Sequence, residues 1–428
     1  MRSTLTRFMR SPHRWLITLF ASLLVPMVFW AVTPVLSRAE PSQAKVFEQI
    51  WQTVNDNFYD PKFNGVDWKA MRQKYSPLAA QTRSPEALTV VVNQMLAELK
   101  ASHTHYYTAA EPEYYQLAGV FWRRGIQRQL KPFLPNGKLE YVGIGAYTRE
   151  VDGKTFVRAV LDGSPAANGG LKVGDQLLAV NEKPFQPIQS FAEKADRPVE
   201  IQIQRMPNTA PQAIAVTPKR LDPTTMFLDA MKASVQVIDR SGKKVGYIHV
   251  WSYADDAYQR QLEQELGDRL SQVDGLVWDL RDGWGGAEPS YLNPFTAPAL
   301  NVTFTNRNGT KGQFDLPWKK PVVMLVNQGS RSGKEILAYG FRQFRVGKIV
   351  GSTTAGAVLA GRAYIMQDGS LLYLAVADVS VDGQRIEGKG VAPDIDVPFA
   401  VPYAQGRDPQ KDGAIAAVLE AIKKPAKG

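Results

Sequence analysis

The chain has 428 residues, of which 44% are hydrophobic and 21% charged, and it contains no cysteine. This length predicts two or three domains with real hydrophobic cores. The lack of cysteine excludes disulfide bonds, thiolate catalysis and cysteine-ligated metal sites. The formal net charge is +10, but residues 1–39 hold five arginines and no acidic residue, which leaves 46 basic against 41 acidic residues in the remainder. That excess is neither gathered in one block nor interleaved with aromatic residues, which argues against a nucleic-acid partner.

The first 39 residues have the pattern of an export signal. A basic start, Arg2–Arg14, precedes the apolar run Trp15–Leu36 and then Ser37-Arg38-Ala39, which fits a small-x-Ala cleavage site. We therefore expect cleavage after Ala39 and a mature protein in the periplasm or another extracytoplasmic compartment. The alternative is a retained membrane anchor, because the apolar run is near the length that spans a bilayer.

Residues 40–135 have the apolar spacing of a helical subdomain. Apolar residues recur at three- and four-residue steps over Val46–Phe58 and again over Leu88–Leu99. Ser84 followed by Pro85 predicts the start of the later helix, with the serine as its cap and the proline at the first helical position.

Histidine is scarce in this sequence. Apart from His13 in the leader, the histidines are His103, His105 and His249. A serine hydrolase with a histidine base must take it from these three. His249 lies in an alternating, strand-like run, whereas His103 and His105 follow the end of a predicted helix, where a side chain can reach into a cleft. A purely structural role is the alternative for each of them.

Residues 138–220 read as a block of short strands that closely resembles a PDZ domain. The resemblance rests on a glycine-containing loop, Gly143-Ile144-Gly145, a short helix that begins at Ser164-Pro165-Ala166, and the strand motif Gly174–Asn181. It implies that an extended peptide adds to the edge of the sheet and that backbone N–H groups of the loop hold the peptide's C-terminal carboxylate. The alternative is a PDZ-shaped spacer or lid without a ligand of its own.

Residues 221–428 have the pattern of an α/β domain, and one stretch of it is a suitable mount for a nucleophile. Val322–Val326 is a short apolar run typical of a buried strand, Asn327–Gly333 is a polar turn, and helical spacing begins at Lys334. Backbone N–H groups at the start of a helix lie where an oxyanion would form. Most serines in such turns are only caps, so the turn alone is weak evidence.

A second loop of this region is rich in glycine. The predicted strand Leu276–Arg281 runs into Asp282-Gly283-Trp284-Gly285-Gly286. Glycines at the end of a strand allow close approach of the backbone, which suits an oxyanion-binding or peptide-gripping loop.

Taken together, these pieces resemble the carboxy-terminal processing peptidase family of serine proteases. The resemblance covers about residues 46–397 and implies a crotonase-like α/β protease core with an inserted PDZ domain and an N-terminal helical subdomain. Within the turn Ser330-Arg331-Ser332, it assigns Ser332 as the nucleophile. The other matching segments are Asp279-Leu280-Arg281, Gly351–Gly356 and Glu387–Asp394.

One departure from the family pattern bears on the mechanism. The best-known branch activates its serine with a lysine, but Ala357 stands at that place here and cannot accept a proton. The other branch is similar to the core of tricorn protease, and the resemblance then implies His103 as the base, with Ser102 and Glu387 orienting it. The N–H of Gly333, with that of Gly285 or Gly286, would bind the oxyanion.

Simpler roles remain for two of these residues, and other bases are conceivable. Glu387 could pair with Arg385 or Lys389 on a surface turn, and Ser102 could be only a helix-end cap. His105 is the reserve base, and Lys334 and Lys389 are reserve candidates for a relocated lysine base.

The sequence therefore predicts an exported serine endopeptidase that cleaves polypeptides near their C-termini, with the PDZ block presenting substrate or gating the site. We expect no cofactor, since the histidine spacings do not fit a zinc site and Glu335 stands where a phosphate loop requires Ser or Thr. The alternative is a catalytically inactive family member that binds peptide C-termini as an adaptor.

Overall fold

The computed structural model of the chain describes residues 42–423, apart from 298–299 and 317. The predicted leader, residues 1–39, lies outside the described residues. Within the described ranges, no helix is both long enough and apolar enough to cross a membrane.

Three helices form the N-terminal part, and the apolar spacing predicted the first and the third of them. They are α1 (Gln43–Asn57), α2 (Trp68–Gln81) and α3 (Pro85–Ala97). Ser84 caps α3 by accepting a hydrogen bond of 3.2 Å from the N–H of Ala87. The indoles of Trp51 and Trp68 are stacked, and each donates its N–H to the backbone carbonyl of the other residue, at 2.9 and 3.3 Å. This reciprocal pair joins the first two helices.

The segment after α3 attaches the helical part to the rest of the chain. It contains β1 (His105–Tyr107), α4 (Pro112–Phe121) and α5 (Gln127–Leu130). β1 pairs antiparallel with the distant strand Leu371–Ala377. This pairing holds the loop between α3 and β1, which carries Ser102 and His103, against the C-terminal half of the chain.

A sheet with its own hydrophobic core follows. Its strands run in the order β3-β4-β5-β7-β8, while β6 pairs with β5, and β2 pairs with β9 in a separate ribbon. The core includes Val157, Leu177, Phe191 and Ile201, all nearly or fully buried. The elements are β2 (Tyr141–Gly143), β3 (Ala146–Val151), β4 (Lys154–Val160), α6 (Pro165–Asn168), β5 (Gln176–Val180), β6 (Lys183–Pro184), β7 (Val199–Gln204), β8 (Gln212–Val216) and β9 (Lys219–Leu221).

The remaining residues build a sheet in the order β10-β11-β12-β15-β16-β19, in which all neighbours except β10 and β11 are parallel. The turn that contains Asp368-Gly369 joins β17 and β18 in an antiparallel hairpin. The elements are α7 (Met226–Ser234), β10 (Gln236–Arg240), β11 (Lys243–His249), α8 (Asp256–Gly267), β12 (Gly275–Asp279), α9 (Asn293–Thr296), β13 (Leu300–Thr305), β14 (Lys311–Leu316), β15 (Val322–Val326), α10 (Gly333–Gln343), β16 (Gly347–Gly351), β17 (Ala360–Ile365), β18 (Leu371–Ala377), β19 (Ile395–Asp396) and α11 (Pro409–Lys423).

Both faces of this parallel sheet are covered, which explains the unbroken apolar runs of its central strands. One cluster packs Leu337 and Phe341 of α10 against Trp278 and Met324. A second cluster packs Val418 and other residues of α11 against the other face of the sheet, on side chains of the same strands. The turn after β15, with Ser332, therefore lies at the carboxyl edge of a rigid, doubly covered sheet.

The segment before α11 fastens the PDZ-like sheet to the parallel one. Tyr403 and Gly406 donate backbone hydrogen bonds to the carbonyls of Gly174 and Val173, both at 2.9 Å. Gly174 has φ +92°, and a Cβ added there would lie 2.1 Å from the backbone nitrogen of Ala404.

We expect Gly174→Ala to destabilise the protein far more than Gly153→Ala. Both glycines have positive φ, but nothing lies within 4 Å of a Cβ at Gly153. Gly153→Ala should cost about 1–2 kcal/mol for the left-handed backbone alone, and Gly174→Ala about 1–3 kcal/mol more for the clash. Urea unfolding monitored by tryptophan fluorescence measures both, and equal midpoints would contradict this account of the contact.

Candidate active site

Ser332 occupies a strained backbone conformation at the end of the turn after β15. Its φ of 57° and ψ of −129° are rare for a residue with a side chain. Such strain costs about 1–3 kcal/mol and persists only where the surroundings impose it. The N–H of Ser332 donates to the carbonyl of Ala357 at 2.8 Å and to Oε2 of Glu335 at 3.2 Å.

The carboxylate of Glu335 imposes this conformation. Glu335 is fully buried, and beside Ser332 it accepts hydrogen bonds from the Thr354 hydroxyl at 2.6 Å, the Gly356 N–H at 2.7 Å and the Ala357 N–H at 2.8 Å. Burial raises the pKa of Glu335, although these hydrogen bonds oppose the shift. Glu335 was not among the site residues predicted from the sequence. Its place three residues after Ser332, which is the spacing of a capping box, was the available signal.

Ser332 lines a cavity of about 410 Å³, here called the Ser332 cavity. The structure brings four other predicted site residues to its wall, namely Ser102, His103, Gly285 and Gly286. The remaining lining residues are Ala101, Thr104, His105, Tyr107, Leu117, Val120, Phe121, Trp284, Arg331, Ala357, Ala360, Gly361 and Tyr373. Loops from the helical N-terminal part and from the parallel sheet therefore meet across one cavity.

A chain of hydrogen bonds leads from a buried carboxylate to the imidazole of His103. Oε2 of Glu387 accepts the hydroxyl of Ser102 at 2.9 Å, and Oγ of Ser102 lies 2.9 Å from Nδ1 of His103. Because the hydroxyl proton of Ser102 is donated to Glu387, its oxygen accepts from an N–H at Nδ1. The neutral imidazole then carries its free electron pair on Nε2.

The carboxylate of Glu387 also accepts hydrogen bonds from backbone N–H groups of two separate segments. Its Oε1 accepts the backbone N–H of Ser102 at 3.0 Å, and its Oε2 accepts the N–H groups of Val358 and Leu359 at 2.7 and 3.2 Å. Arg385, the surface partner considered from the sequence, pairs with Asp378 at 3.1 Å instead. Glu387 is thus a buried acceptor beneath the cavity and not part of a surface ion pair.

The surroundings of His103 favour its neutral form. Burial, with a smaller contribution from the charge of Arg331, lowers the pKa of His103 from 6.5 to about 3. The same two causes lower the pKa of His105 to about 4. Nε2 of His105 lies 3.1 Å from the side-chain nitrogen of Asn93, so this ring is engaged as an acceptor.

The glycine loop after β12 lies directly against the turn that carries Ser332. A Cβ added at Gly285 would lie 2.6 Å from Cβ of Ser332 and 3.1 Å from the nitrogen of Gly333. The N–H groups of Gly285, Gly286 and Gly333 donate to no group in the part of the chain that the structure describes. The backbone of Gly285 and Gly333 therefore lies beside Ser332, and the N–H groups of these residues are available to a ligand.

The lysines considered as reserve bases lie elsewhere. Lys334 is fully buried, and its ammonium donates to the carbonyls of Asp282 at 2.7 Å and Trp251 at 3.2 Å. Burial lowers the pKa of Lys334 to about 7, but its side chain does not line the Ser332 cavity. Lys389 is exposed on a turn. Ala357, at the place of the lysine in the other branch, lines the cavity wall.

The predicted peptide-binding loop lies at a separate, narrow groove, here called the PDZ groove. Gly143, Ile144 and Gly145 line it with aromatic residues of the PDZ-like sheet and with Glu113 and Gln116 of α4. Its volume is only about 50 Å³, so an entering peptide has to widen it. Among residues 42–423 with the stated gaps, no group of three His, Asp or Glu side chains could hold a metal ion.

Three family sequence models match this chain. The model of Peptidase family S41 matches residues 244–397, the Tricorn protease C1 domain matches residues 39–97, and the PDZ domain matches residues 156–205. The three matches fall on the parallel sheet, the N-terminal helices and the middle sheet.

Named relatives agree with these matches. A carboxyl-terminal-processing protease of Synechocystis sp. is 27% identical over 395 residues, covering 88% of this chain and 85% of that protein. Putative tricorn protease homolog 2 of Streptomyces coelicolor is 24% identical over 407 residues, covering 89% of this chain and 32% of that protein. The crystal structure of the tricorn protease matches at 17% identity with a TM-score of 0.54, over 90% of this chain and 37% of that one. The predicted fold class, an α/β protease core with a PDZ domain and an N-terminal helical part, is confirmed.

We expect Glu335→Gln to lower both stability and peptide hydrolysis. An amide NH₂ in place of one carboxylate oxygen would face backbone N–H donors, which leaves buried groups unpaired and costs about 3 kcal/mol. The strained turn would then relax and move the Ser332 hydroxyl. Urea unfolding and initial rates of peptide cleavage measure the two effects.

Glu288→Gln is the matched control, because Glu288 is exposed and lies outside the cavity. It should change the free energy of unfolding by less than about 0.5 kcal/mol. The holding role of Glu335 is wrong if both variants unfold at the same urea concentration.

Proposed function

Since the chain belongs to Peptidase family S41 and is a serine-type peptidase, we propose that it is an exported endopeptidase that cleaves polypeptides near their C-termini with Ser332 as nucleophile and His103 as base. The single observation that carries this proposal is the hydrogen-bond chain from Glu387 through Ser102 to His103, which ends in the same cavity as Ser332.

The proposed chemistry follows from the tautomer of His103. Its free Nε2 accepts the proton of Ser332 as Oγ attacks the peptide carbonyl, and it later returns the proton to the leaving amine. Ser102 and Glu387 act as positioning residues, because they hold the N–H at Nδ1 and stabilise the imidazolium that forms. Water then hydrolyses the acyl-enzyme by the same proton path in reverse.

The oxyanion of each tetrahedral intermediate would be bound by backbone N–H groups. Gly333 supplies one donor at the start of α10, and Gly285 or Gly286 supplies another from the glycine loop. Removal of one such donor typically costs about a hundredfold to a thousandfold in kcat. The lack of other acceptors for these N–H groups among the described residues supports their assignment.

The PDZ domain would capture the C-terminus of the polypeptide and gate the cavity through α4. The N-terminal turns of this helix line the PDZ groove with Glu113 and Gln116, and its later residues Leu117 and Phe121 line the Ser332 cavity. Because the groove holds only about 50 Å³, an incoming peptide has to displace one of its walls. Movement of α4 would reshape the cavity at the same time.

Export rests on the leader pattern of residues 1–39 alone. The intact mass of the protein recovered from cells distinguishes a chain cleaved after Ala39 from a retained anchor. The adaptor alternative rests on Ala357 and predicts peptide binding without any cleavage.

We expect Ser332→Ala and His103→Ala each to lower kcat/KM for peptide hydrolysis by about ten-thousandfold or more. Ser102→Ala should cost about a hundredfold, because the imidazole loses its orienting partner. Lys389→Ala is the control and should stay within about twofold of wild type, since its side chain is exposed and away from the cavity. Rates on a quenched fluorescent peptide measure all four variants.

A serine-reactive fluorophosphonate probe separates the enzyme from the adaptor. Labelling of the wild-type chain that disappears in Ser332→Ala supports the peptidase assignment. Peptide binding without labelling or cleavage would favour the adaptor, and activity that survives in His103→Ala would rule out the proposed base.

We expect kcat/KM to stay nearly constant between pH 7 and pH 5. A base acts in its neutral form, and a pKa lowered to about 3 keeps His103 neutral throughout this range. An ordinary histidine with a pKa of about 6.5 would lose roughly thirtyfold by pH 5. The measurement needs a peptide without ionisable groups and circular dichroism at each pH to show that the fold persists. A fall in kcat/KM towards acid pH with its midpoint near pH 6.5 would contradict the lowered pKa of His103.

A further inference from the structure

Arg331 stands directly before the nucleophile and lines the Ser332 cavity. Its guanidinium carbon lies 5.6 Å from the centre of the Trp284 ring, a stacking distance for a cation on an aromatic face. Trp284 is buried, and its indole N–H donates to the side-chain oxygen of Gln116 at 3.1 Å. The ring is therefore a fixed platform, and the guanidinium rests on it beside the glycine loop.

No carboxylate in the described part of the chain pairs with Arg331. The residues that line the Ser332 cavity include no aspartate and no glutamate. Two other arginines of low exposure are neutralised, since Arg158 pairs with Asp282 at 3.0 Å and Arg281 pairs with Asp279 at 2.7 Å. The cavity thus holds a guanidinium whose planar N–H groups lack an anionic acceptor.

The field of this cation extends across the cavity. Its charge contributes to the lowered pKa values of His103 and His105, and it also favours ionisation of Tyr107 against the larger effect of burial. An anion placed beside the guanidinium would offset this field. It would also raise the basicity of His103 at the moment when the anion is bound.

We propose that Arg331 binds a carboxylate of the polypeptide and so selects substrates with a negative charge within a residue or two of the bond that is cleaved. This inference deepens the proposed function, because it names the chemistry that the same site recognises. The planar fork of arginine matches a carboxylate in a bidentate fashion. Because Arg331 and Ser332 are consecutive, the bound anion lies close to the reacting carbonyl.

Two sources can supply this carboxylate. One is the C-terminal carboxylate of a polypeptide whose last residues enter the cavity, and the other is the side chain of a glutamate or aspartate near the cleaved bond. Both make the same contact with the guanidinium, so the experiment has to separate them.

Binding to the full chain with Ser332→Ala tests the proposal without any need for cleavage. The probes are two pairs of fluorescently labelled apolar pentapeptides, measured by fluorescence anisotropy at low salt. One pair differs only in a C-terminal carboxylate or amide, and the other, amidated in both members, differs only in an internal glutamate or glutamine. We expect the charged member of at least one pair to bind about tenfold to a hundredfold more tightly, an advantage that weakens with salt.

Adding Arg331→Gln to the Ser332→Ala chain should reduce this ratio of affinities to about one. Adding Arg331→Lys keeps the charge without the fork and should leave an intermediate ratio. Adding Arg362→Gln is the matched control, because Arg362 also stacks on an aromatic ring, that of Tyr364, but does not line the cavity. This control should retain the full ratio.

The pair whose preference Arg331→Gln removes identifies the source, and removal in either pair supports the proposal. A ratio of one for both pairs in the Ser332→Ala chain would overturn it. A preference undiminished by Arg331→Gln would also overturn it, because that preference would belong to the PDZ groove. Since binding is measured in a chain without the nucleophile, failure here is distinct from failure of the peptidase assignment, which the cleavage rates and probe labelling decide.

Discussion

The carboxylate of Glu387 connects two parts of the chain that are 285 residues apart. It accepts the backbone N–H and the hydroxyl of Ser102 on one side, and the N–H groups of Val358 and Leu359 on the other. A buried carboxylate is costly unless its lone pairs are filled, and here four donors fill them. The position of His103 relative to Ser332 depends on this junction, because the loop that carries the imidazole is anchored through Ser102.

A second buried carboxylate holds the other half of the site. Glu335 accepts a hydrogen bond from the N–H of Ala357, and Glu387 accepts one from the N–H of the next residue, Val358. One short segment therefore donates to both carboxylates. Glu335 fixes the strained turn of Ser332, and Glu387 fixes the loop of His103. The segment around Ala357 thereby links the turn of Ser332 to the loop of His103 without supplying a side-chain proton acceptor of its own.

Much of this site and of its surroundings could be predicted from the sequence. The predicted strand Val322–Val326 has the bounds seen in the structure, and the predicted cap Ser84 is in place. Short-range patterns decided these features, because strand burial and helix capping depend on neighbouring residues. Ser102, His103 and Ser332 were named by motif, and their chemical roles stay a proposal even though they meet at one cavity. Arg331 and Glu335 were missed as functional residues, since nothing local shows that a guanidinium lacks an acid or that a glutamate has four donors.

By itself, the sequence determined the chemical inventory and the local elements: no cysteine, three histidines beyond residues 1–39, an alanine at position 357, and a serine between a buried strand and a helix. These follow from composition and from periodicity over a few residues. Only the tertiary structure decided which distant groups meet. It placed Glu387 against Ser102, bound Lys334 to backbone carbonyls and, among the residues it describes, gave Arg331 no carboxylate partner. Contacts of this kind depend on strand pairing and on packing across hundreds of residues, and no local pattern encodes them.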